Sequence, residues 1–268
     1  MKAVDTGTDE ILCRIEERAA VVTLNRPEAR NALTMDMKRA LSRLLPELAR
    51  DPEVGCVLLT GAPPAFCAGG DTKNMAREGR PPSAEERIRQ VRWEHGAPLL
   101  LATMDKPTLA ALPGPAAGAG FALALACDLR IAAESAFVTT AYARLGLSGD
   151  YGSSFFLTRL VGTARARELF FLADRVGAAE CERLGIVNWV VPDADLAGEA
   201  LALAKRLAAG PPIAYRYMKD NLNRALSQDL ASCLDTEAER MVQSAQTEDY
   251  LEAVQAFADK RPPTFKGR

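Results

Sequence analysis

The sequence holds a single histidine, His95, and its positive and negative charges nearly balance. It has 33 Lys and Arg against 35 Asp and Glu among 268 residues, a formal net charge of −2. A transition-metal site needs several nitrogen or sulfur ligands, so one histidine without a cysteine cluster predicts no metal. Without a basic excess, neither the phosphate backbone of a nucleic acid nor an anionic membrane surface is an expected partner.

Cysteine pairs and long apolar runs are missing as well. The six cysteines lie far apart with no Cys-x-x-Cys pair, which predicts reduced core thiols rather than a disulfide framework. No apolar run reaches the length of a membrane span, and the first ten residues are polar and acidic. We therefore expect a cytoplasmic protein that does not bind membranes.

The composition that remains is that of a folded domain. Hydrophobic residues make up 48% of the chain and charged residues 25%, enough to bury a sizeable core. A single core stops growing near roughly 250–300 residues. The chain is therefore expected to form one large α/β domain, or one such domain with a smaller helical appendage.

Hydrophobic patterning predicts a hairpin followed by an amphipathic helix near the start of the chain. Two β-rich runs, Ile11 to Ile15 and Ala19 to Leu24, flank three charged residues and indicate the hairpin. Thr34 is the candidate N-cap of a helix that ends near Arg50.

The remaining pattern predicts an α/β core and a helical C-terminal part. The runs Val54–Thr60 and Pro107–Leu112 are typical of strands buried on both faces. A helix that carries His95 is predicted from about Ala84 to Thr103, and from Leu196 onward the chain is almost entirely helical. We expect a core in residues 1–195 and a helical subdomain in residues 196–268.

Each of the two buried strands is followed by a glycine-rich turn and then a helix. The turns are residues 67–71, CAGGD, and 114–120, GPAAGAG. Backbone N–H groups at the start of a helix lack intrahelical acceptors and bind anions. Such a turn can cradle a phosphate or hold a carbonyl oxygen that gains charge during a reaction. Close helix packing alone explains either turn singly, but explains the pair less well.

The nucleotide motifs are absent from these turns. Gly118 and Gly120 continue into Phe121, so the third glycine of G-x-G-x-x-G is missing, and no G-x-x-x-x-G-K-[ST] occurs. The patterning therefore favours an oxyanion hole over a phosphate cradle.

Four segments of the chain form a recognisable set of motifs: 24–33 (LNRPEARNAL), 65–73 (AFCAGGDTK), 118–120 with 127–129 (GAG and CDL) and 256–261 (AFADKR). By these segments the chain resembles the enoyl-CoA hydratase/isomerase, or crotonase, superfamily from about Leu24 to Phe265. The resemblance implies a crotonase-like spiral of ββα units with a helical C-terminal subdomain that builds trimers, often stacked as hexamers. It also implies acyl-coenzyme A thioesters as substrates, with no separate cofactor.

The resemblance also implies roles for individual residues. The N–H groups of Gly70 and Ala119 would hold the thioester oxygen and stabilise an enolate. The implied coenzyme A contacts are Ala68 at the adenine, Arg26 and Lys73 at the phosphates or the pantetheine entrance, and Phe257 and Lys260 from a neighbouring subunit. For each basic residue, a solvated surface charge is an equally good interpretation.

The sequence departs from the hydratase pattern at both positions where that pattern has a glutamate. These positions hold Ala122 and Tyr142, so one carboxylate, Asp150, is left in the motif segments. Asp150 precedes an apolar helix and could be a simple N-cap. In several branches of the family, an aspartate near this position shuttles protons or attacks the substrate, and the segments around the second turn look most like the ring-epoxide isomerases.

Four functions stay open on this evidence. One base beside an oxyanion hole suffices to move a proton between two carbons, which favours an isomerase with Asp150 as acid and base. A 2-enoyl-CoA hydratase, with Tyr142 helping to orient the water, is a close alternative. The place of His95 weakly resembles the water-activating histidine of the dehalogenases, and a non-catalytic acyl-CoA binding protein is the fourth. The acyl chain is not predicted.

Overall fold

The computed structural model describes residues 1–71 and 83–268. The strands are β1 (Lys2–Val4), β2 (Ile11–Glu16), β3 (Ala19–Leu24), β4 (Cys56–Gly61), β5 (Thr108–Leu112), β6 (Ala116–Ala117), β7 (Leu129–Ala133), β8 (Phe137–Thr139), β9 (Val176–Gly177) and β10 (Trp189–Val191). The helices are α1 (Met35–Arg50), α2 (Ala84–Glu94), α3 (Gly96–Thr103), α4 (Gly118–Ala126), α5 (Ser153–Leu172), α6 (Ala178–Arg183), α7 (Leu196–Ala208), α8 (Pro212–Ala225), α9 (Leu230–Ala245) and α10 (Glu248–Ala258). Short 3₁₀ turns span Pro27–Ala29 and Tyr142–Leu145.

The main sheet has seven strands in the order β1-β2-β3-β4-β5-β7-β10. The first three strands are antiparallel, and from β3 onward every pair is parallel. All five residues of β5 are buried, as the continuous apolar run predicts for a parallel strand with both faces covered. Helix α7 packs across β3, β4, β5 and β7. The predicted hairpin is confirmed as β2 and β3.

A second, three-stranded sheet lies beside the first and supports the glycine-rich turns. Its order is β6-β8-β9, and β6 leads directly into α4. A parallel bridge joins Cys67 of the first turn to Ala116 of β6. The two turns are therefore fixed to one another by backbone pairing, although 48 residues separate Cys67 from Ala116 in sequence.

The predicted cap at Thr34 is confirmed, but the predicted helix from about 84 to 103 is wrong as a single helix. Thr34 Oγ1 accepts a hydrogen bond from the Met37 N–H and starts α1. The second helix is broken at His95 into α2 and α3. Pro98 has no N–H to donate to the Glu94 carbonyl, so the hydrogen-bond ladder cannot run through this point.

The chain after residue 195 is helical, as the pattern predicts. Helix α7 buries Leu196, Ala200, Ala204 and Ala208, whereas α8 and α9 contain no buried residue. Lys219 of α8 is anchored to the core, where its Nζ lies 2.9 Å from Asp128 Oδ2. Within the two described ranges, no helix has both the length and the apolar character needed to cross a bilayer.

Candidate active site

A cavity with a volume of about 900 Å³ lies in the described part of the chain. Its walls are the two glycine-rich turns, the start of α1, the end of α2 and the segment from Thr140 to Tyr151. Four of its lining residues are the ones that the sequence predicts for catalysis: Gly70, Ala119, Tyr142 and Asp150. The fold therefore brings all four to one cavity from three separate parts of the sequence.

The first turn adopts a backbone conformation that brings it against the start of α4. Gly69 has a φ of +95°, and a Cβ added there would lie 2.9 Å from the Ala117 carbonyl oxygen and 3.5 Å from the Ala119 nitrogen. Only glycine adopts this conformation readily and allows this approach. The Gly69 carbonyl accepts a hydrogen bond of 2.8 Å from the Leu33 N–H, which leaves the adjoining Gly70 N–H outside this backbone pairing.

The second turn supplies a matching donor. Ala119 is the second residue of α4, where the N–H groups have no carbonyl four residues earlier within the helix. Among the described residues, neither the Gly70 nor the Ala119 N–H donates to a backbone carbonyl of the loops and turns. Two backbone donors at one cavity wall, one of them at a helix N-terminus, can bind an oxygen that develops negative charge.

The two carboxylate oxygens of Asp150 have different surroundings. Oδ1 accepts a hydrogen bond of 2.8 Å from the Tyr151 N–H and lies 2.5 Å from His95 Nε2. No described residue donates a hydrogen bond to Oδ2. Asp150 does not cap α5, whose N-cap is Gly152 and has no side-chain cap, so the simple capping role is wrong. One oxygen is anchored and the other remains for a ligand.

Tyr142 holds the turn that carries Asp150. Its Oη donates a hydrogen bond of 3.2 Å to the Asp150 carbonyl oxygen, and its ring stacks on Phe170 with 6.2 Å between the centroids. Burial raises the pKa of the Tyr142 hydroxyl to about 12, so it stays a neutral donor over the whole physiological pH range. Because its hydroxyl donates to a backbone carbonyl, Tyr142 helps to hold the turn that carries Asp150.

Sequence reasoning missed several charged or polar residues of this cavity, among them Lys38, Glu94 and Tyr151. Lys38 Nζ lies 2.8 Å from Glu94 Oε2, and the Tyr151 Oη lies 3.4 Å from the same oxygen. The Tyr151 ring meets the His95 ring edge-on, with centroids 5.9 Å apart. Glu94 therefore contacts Tyr151, and the adjacent His95 contacts Asp150.

Only some of the predicted coenzyme A contacts lie at the cavity. Ala68 lines the cavity. Arg26 lies beside it and is held by Asp71 at 3.2 Å and by Glu10 at 3.3 Å. Lys73 lies outside the described residues.

The other two predicted contacts, Phe257 and Lys260, do not line the cavity of their own chain. Both are exposed at the end of α10, and Phe257 is 88% accessible. A role for them at this site requires a second copy of the chain.

Comparison with known proteins agrees with the geometry. A family model described as enoyl-CoA hydratase/isomerase matches residues 14–268. The chain belongs to the enoyl-CoA hydratase/isomerase family.

Relatives within the enoyl-CoA hydratase/isomerase family include proteins named as hydratases and a protein named as an isomerase. A Rhodobacter capsulatus protein named probable enoyl-CoA hydratase is 41% identical over 95% of this chain and 96% of its own length. The 1,2-epoxyphenylacetyl-CoA isomerase of Escherichia coli is 36% identical over 96% of this chain and 98% of its own length.

The crotonase-like fold is confirmed by solved structures. The crystal structure of an enoyl-CoA hydratase from Polaromonas sp. JS666 superposes with a TM-score of 0.90 at 35% identity, and covers 95% of this chain and 99% of that one.

Proposed function

We propose that this member of the enoyl-CoA hydratase/isomerase family is an isomerase that moves a proton between carbons of an acyl-CoA thioester. The observation that carries the proposal is Asp150, whose Oδ1 is anchored and whose Oδ2 has no donor among the described residues. The other carboxylates of the cavity are held by cations, Asp71 and Glu28 by Arg26 and Glu94 by Lys38. Asp150 is the carboxylate best placed to act as a base.

The proposed reaction needs two groups of atoms. The thioester oxygen accepts hydrogen bonds from the N–H groups of Gly70 and Ala119, which lowers the energy of the enolate. Oδ2 of Asp150 removes a proton from a carbon of the acyl group and returns it to another carbon. The Asp150 carboxylate stays fixed during both transfers, because the Tyr151 N–H donates a hydrogen bond to Oδ1 and His95 Nε2 contacts the same oxygen.

The direct test is a panel of 3-enoyl-, 2-enoyl- and 2,5-dienoyl-CoA substrates, followed by absorbance and mass. A shifted double bond at unchanged mass supports the isomerase. A product heavier by one water supports the hydratase alternative and overturns the isomerase. Binding of every substrate without conversion would identify a non-catalytic acyl-CoA protein.

A second function is favoured by the contact of 2.5 Å between His95 Nε2 and Asp150 Oδ1. A carboxylate beside an imidazole can act as a nucleophile: Asp150 displaces a leaving group from the acyl moiety and forms an ester. Water then attacks the ester carbonyl carbon and loses its proton to His95, and the substrate carbon leaves with the original Asp150 oxygen.

Labelled water separates this hydrolytic route from the isomerase. In a single turnover in H₂¹⁸O, the nucleophile route places ¹⁸O in Asp150, which mass spectrometry of the peptide detects. Proton transfer leaves the peptide unlabelled. His95→Gln should make the ester accumulate if Asp150 is a nucleophile, and should only slow the reaction if Asp150 transfers a proton.

We also propose that residues 196–268 form an oligomerisation subdomain that builds a homotrimer or a dimer of trimers. Helices α8 and α9 have no buried residue, and Met218, Leu222 and Leu234 are more than half exposed. Large exposed apolar faces are unusual on a monomer. A neighbouring copy that covers them could also bring Phe257 and Lys260 to the acyl-CoA site.

A further inference from the structure

A buried ion pair forms part of the cavity wall beside the candidate catalytic residue. The side chains of Lys38 and Glu94 are only 8% and 2% exposed, and Nζ lies 2.8 Å from Oε2. The other carboxylate oxygen, Oε1, accepts a hydrogen bond of 2.9 Å from Gln90 Nε2. Both carboxylate oxygens of Glu94 therefore have a hydrogen-bonding partner. Lys38 and Glu94 both line the cavity.

The Lys38 ammonium has more donors than the described residues can satisfy. An ammonium group carries three N–H donors. Glu94 Oε2 is the one acceptor that the described residues supply to it. A buried polar group that lacks partners costs free energy, so the remaining donors favour an acceptor inside the cavity.

A hydrocarbon chain would be a poor neighbour for this wall. It would exclude water from the ammonium group without offering a hydrogen bond in return. A carboxylate is also a poor fit, because Glu94 already neutralises Lys38 and is itself at the wall. A neutral oxygen acceptor satisfies the free donors and adds no charge.

We propose that Lys38 is a specificity-determining residue that selects acyl groups carrying a neutral oxygen acceptor, such as a carbonyl, hydroxyl, ether or epoxide. This inference rests on the proposed function, because it assumes that the cavity holds the acyl group of a thioester. Lys38 binds the oxygen of the acyl group, Glu94 holds Lys38 in place, and Gln90 holds Glu94.

The test is the affinity of the wild-type protein for matched, saturated acyl-CoA probes, measured by calorimetry. Hexanoyl-CoA is compared with 4-oxo- and 5-oxohexanoyl-CoA, which differ from it by one carbonyl oxygen. One of the oxo probes is expected to bind about ten- to a hundredfold more tightly, the range for a hydrogen bond to a charged donor. Affinities that agree within twofold for all three probes overturn the inference. If no probe binds, the proposed function fails, and this inference fails with it.

Two variants assign the preference to Lys38. The double variant Lys38→Met/Glu94→Gln removes both charges without leaving one of them unpaired, and should reduce the preference below threefold. Lys38→Arg keeps a cation for Glu94 on a longer side chain, and should change which oxo probe binds best. An unchanged ranking in both folded variants overturns the inference.

A matched control is available at the surface. Lys205 pairs with Glu16 at 2.5 Å and does not line the cavity. Lys205→Met/Glu16→Gln removes the same two charges and should keep the wild-type preference. A loss of the preference in this control would show a general effect of removing ion pairs and overturn the role of Lys38. If the Lys38→Met/Glu94→Gln protein does not fold, the wild-type ranking and Lys38→Arg decide.

Discussion

Asp150 can be changed with little effect on its surroundings, which makes its role directly measurable. Asp150→Asn keeps a side-chain oxygen that can accept the hydrogen bond of 2.8 Å from the Tyr151 N–H. General acid and base catalysis is typically worth about 10²–10⁴ in rate, so kcat should fall by that factor. Acyl-CoA affinity should stay within about twofold, because the N–H groups of Gly70 and Ala119 are unchanged.

Steady-state kinetics measures the expected fall in kcat, and equilibrium binding of an unreactive acyl-CoA measures the affinity. A matched control is Asp105→Asn, which changes an exposed aspartate outside the cavity and should leave kcat unaltered. Full turnover by a folded Asp150→Asn protein would remove Asp150 from the reaction.

The buried tyrosines of the site give the protein a measurable response to alkaline pH. Burial raises the pKa of Tyr142 from 10.0 to about 12, and burial next to the Glu94 carboxylate raises that of Tyr151 further. Between pH 10 and 12 the unfolded chain loses these protons while the folded chain keeps them. The stability that Tyr142 contributes is therefore fully present below pH 10 and is lost as the pH rises through about 12.

Urea unfolding between pH 9 and 11.5 measures this slope. Tyr142→Phe should flatten the decline above pH 10, whereas Tyr250→Phe, at an exposed position, should not. Equal slopes in the two variants would show that Tyr142 ionises as freely in the folded protein as in the unfolded chain.

The backbone N–H that Ala119 contributes in the first turn of α4 can be tested separately from side-chain effects. Ala119→Pro removes one N–H at the second helical residue, where proline is tolerated because this N–H has no intrahelical partner. Loss of one oxyanion donor typically costs about 10²–10³ in kcat, and we expect a loss of this size. Ala119→Ser retains the N–H and should keep most of the activity. A folded Ala119→Pro protein with wild-type kcat would mean that the thioester oxygen is bound elsewhere.

The contact between the two turns also depends on one helical glycine. A Cβ added at Gly120 would lie 2.4 Å from the Cys67 carbonyl oxygen, closer than atoms can approach. Gly120→Ala must therefore separate the turns, and should lower both the melting temperature and kcat. Gly198→Ala in α7 meets open space, and because alanine favours a helix it should lower neither. A Gly120→Ala protein with unaltered stability would contradict the close approach.

Local patterns predict those parts of the fold and site that depend on neighbouring residues. Thr34 is recognisable as a cap because it precedes an amphipathic helix, and the glycine-rich turns because they follow apolar strands. Asp150 was found through the resemblance of its segment to the family.

Long-range pairing could not be predicted in the same way. Glu94 stands in a helix that holds several acidic and basic residues, where nothing in the sequence distinguishes a buried carboxylate from an exposed one. Its partner Lys38 is 56 residues away and lies on another helix. The approach of His95 to Asp150 depends on the break between α2 and α3, which the periodicity does not show.

The exposed apolar faces of α8 and α9 bear on the assembly of the whole protein. Leu222 is 71% exposed on α8, although it is flanked by residues that anchor that helix to the core. If a second copy covers this face, Leu222→Arg should convert the oligomer to a monomer that remains folded. Gln228→Arg, the same change of charge at an exposed position after α8, should leave the assembly intact. Sedimentation velocity at micromolar concentration distinguishes the two outcomes.

The assembly should also control the affinity for acyl-CoA. Phe257 and Lys260 lie outside the cavity of their own chain, and the proposal assigns them to the site of a neighbouring copy. A monomeric Leu222→Arg protein should then bind hexanoyl-CoA at least about tenfold more weakly, since it loses contacts that two residues make with the coenzyme. Phe257→Ala/Lys260→Ala in the intact oligomer should weaken binding similarly while leaving sedimentation unchanged. Wild-type affinity in the monomer would show that each chain binds its substrate alone, even where the helices associate.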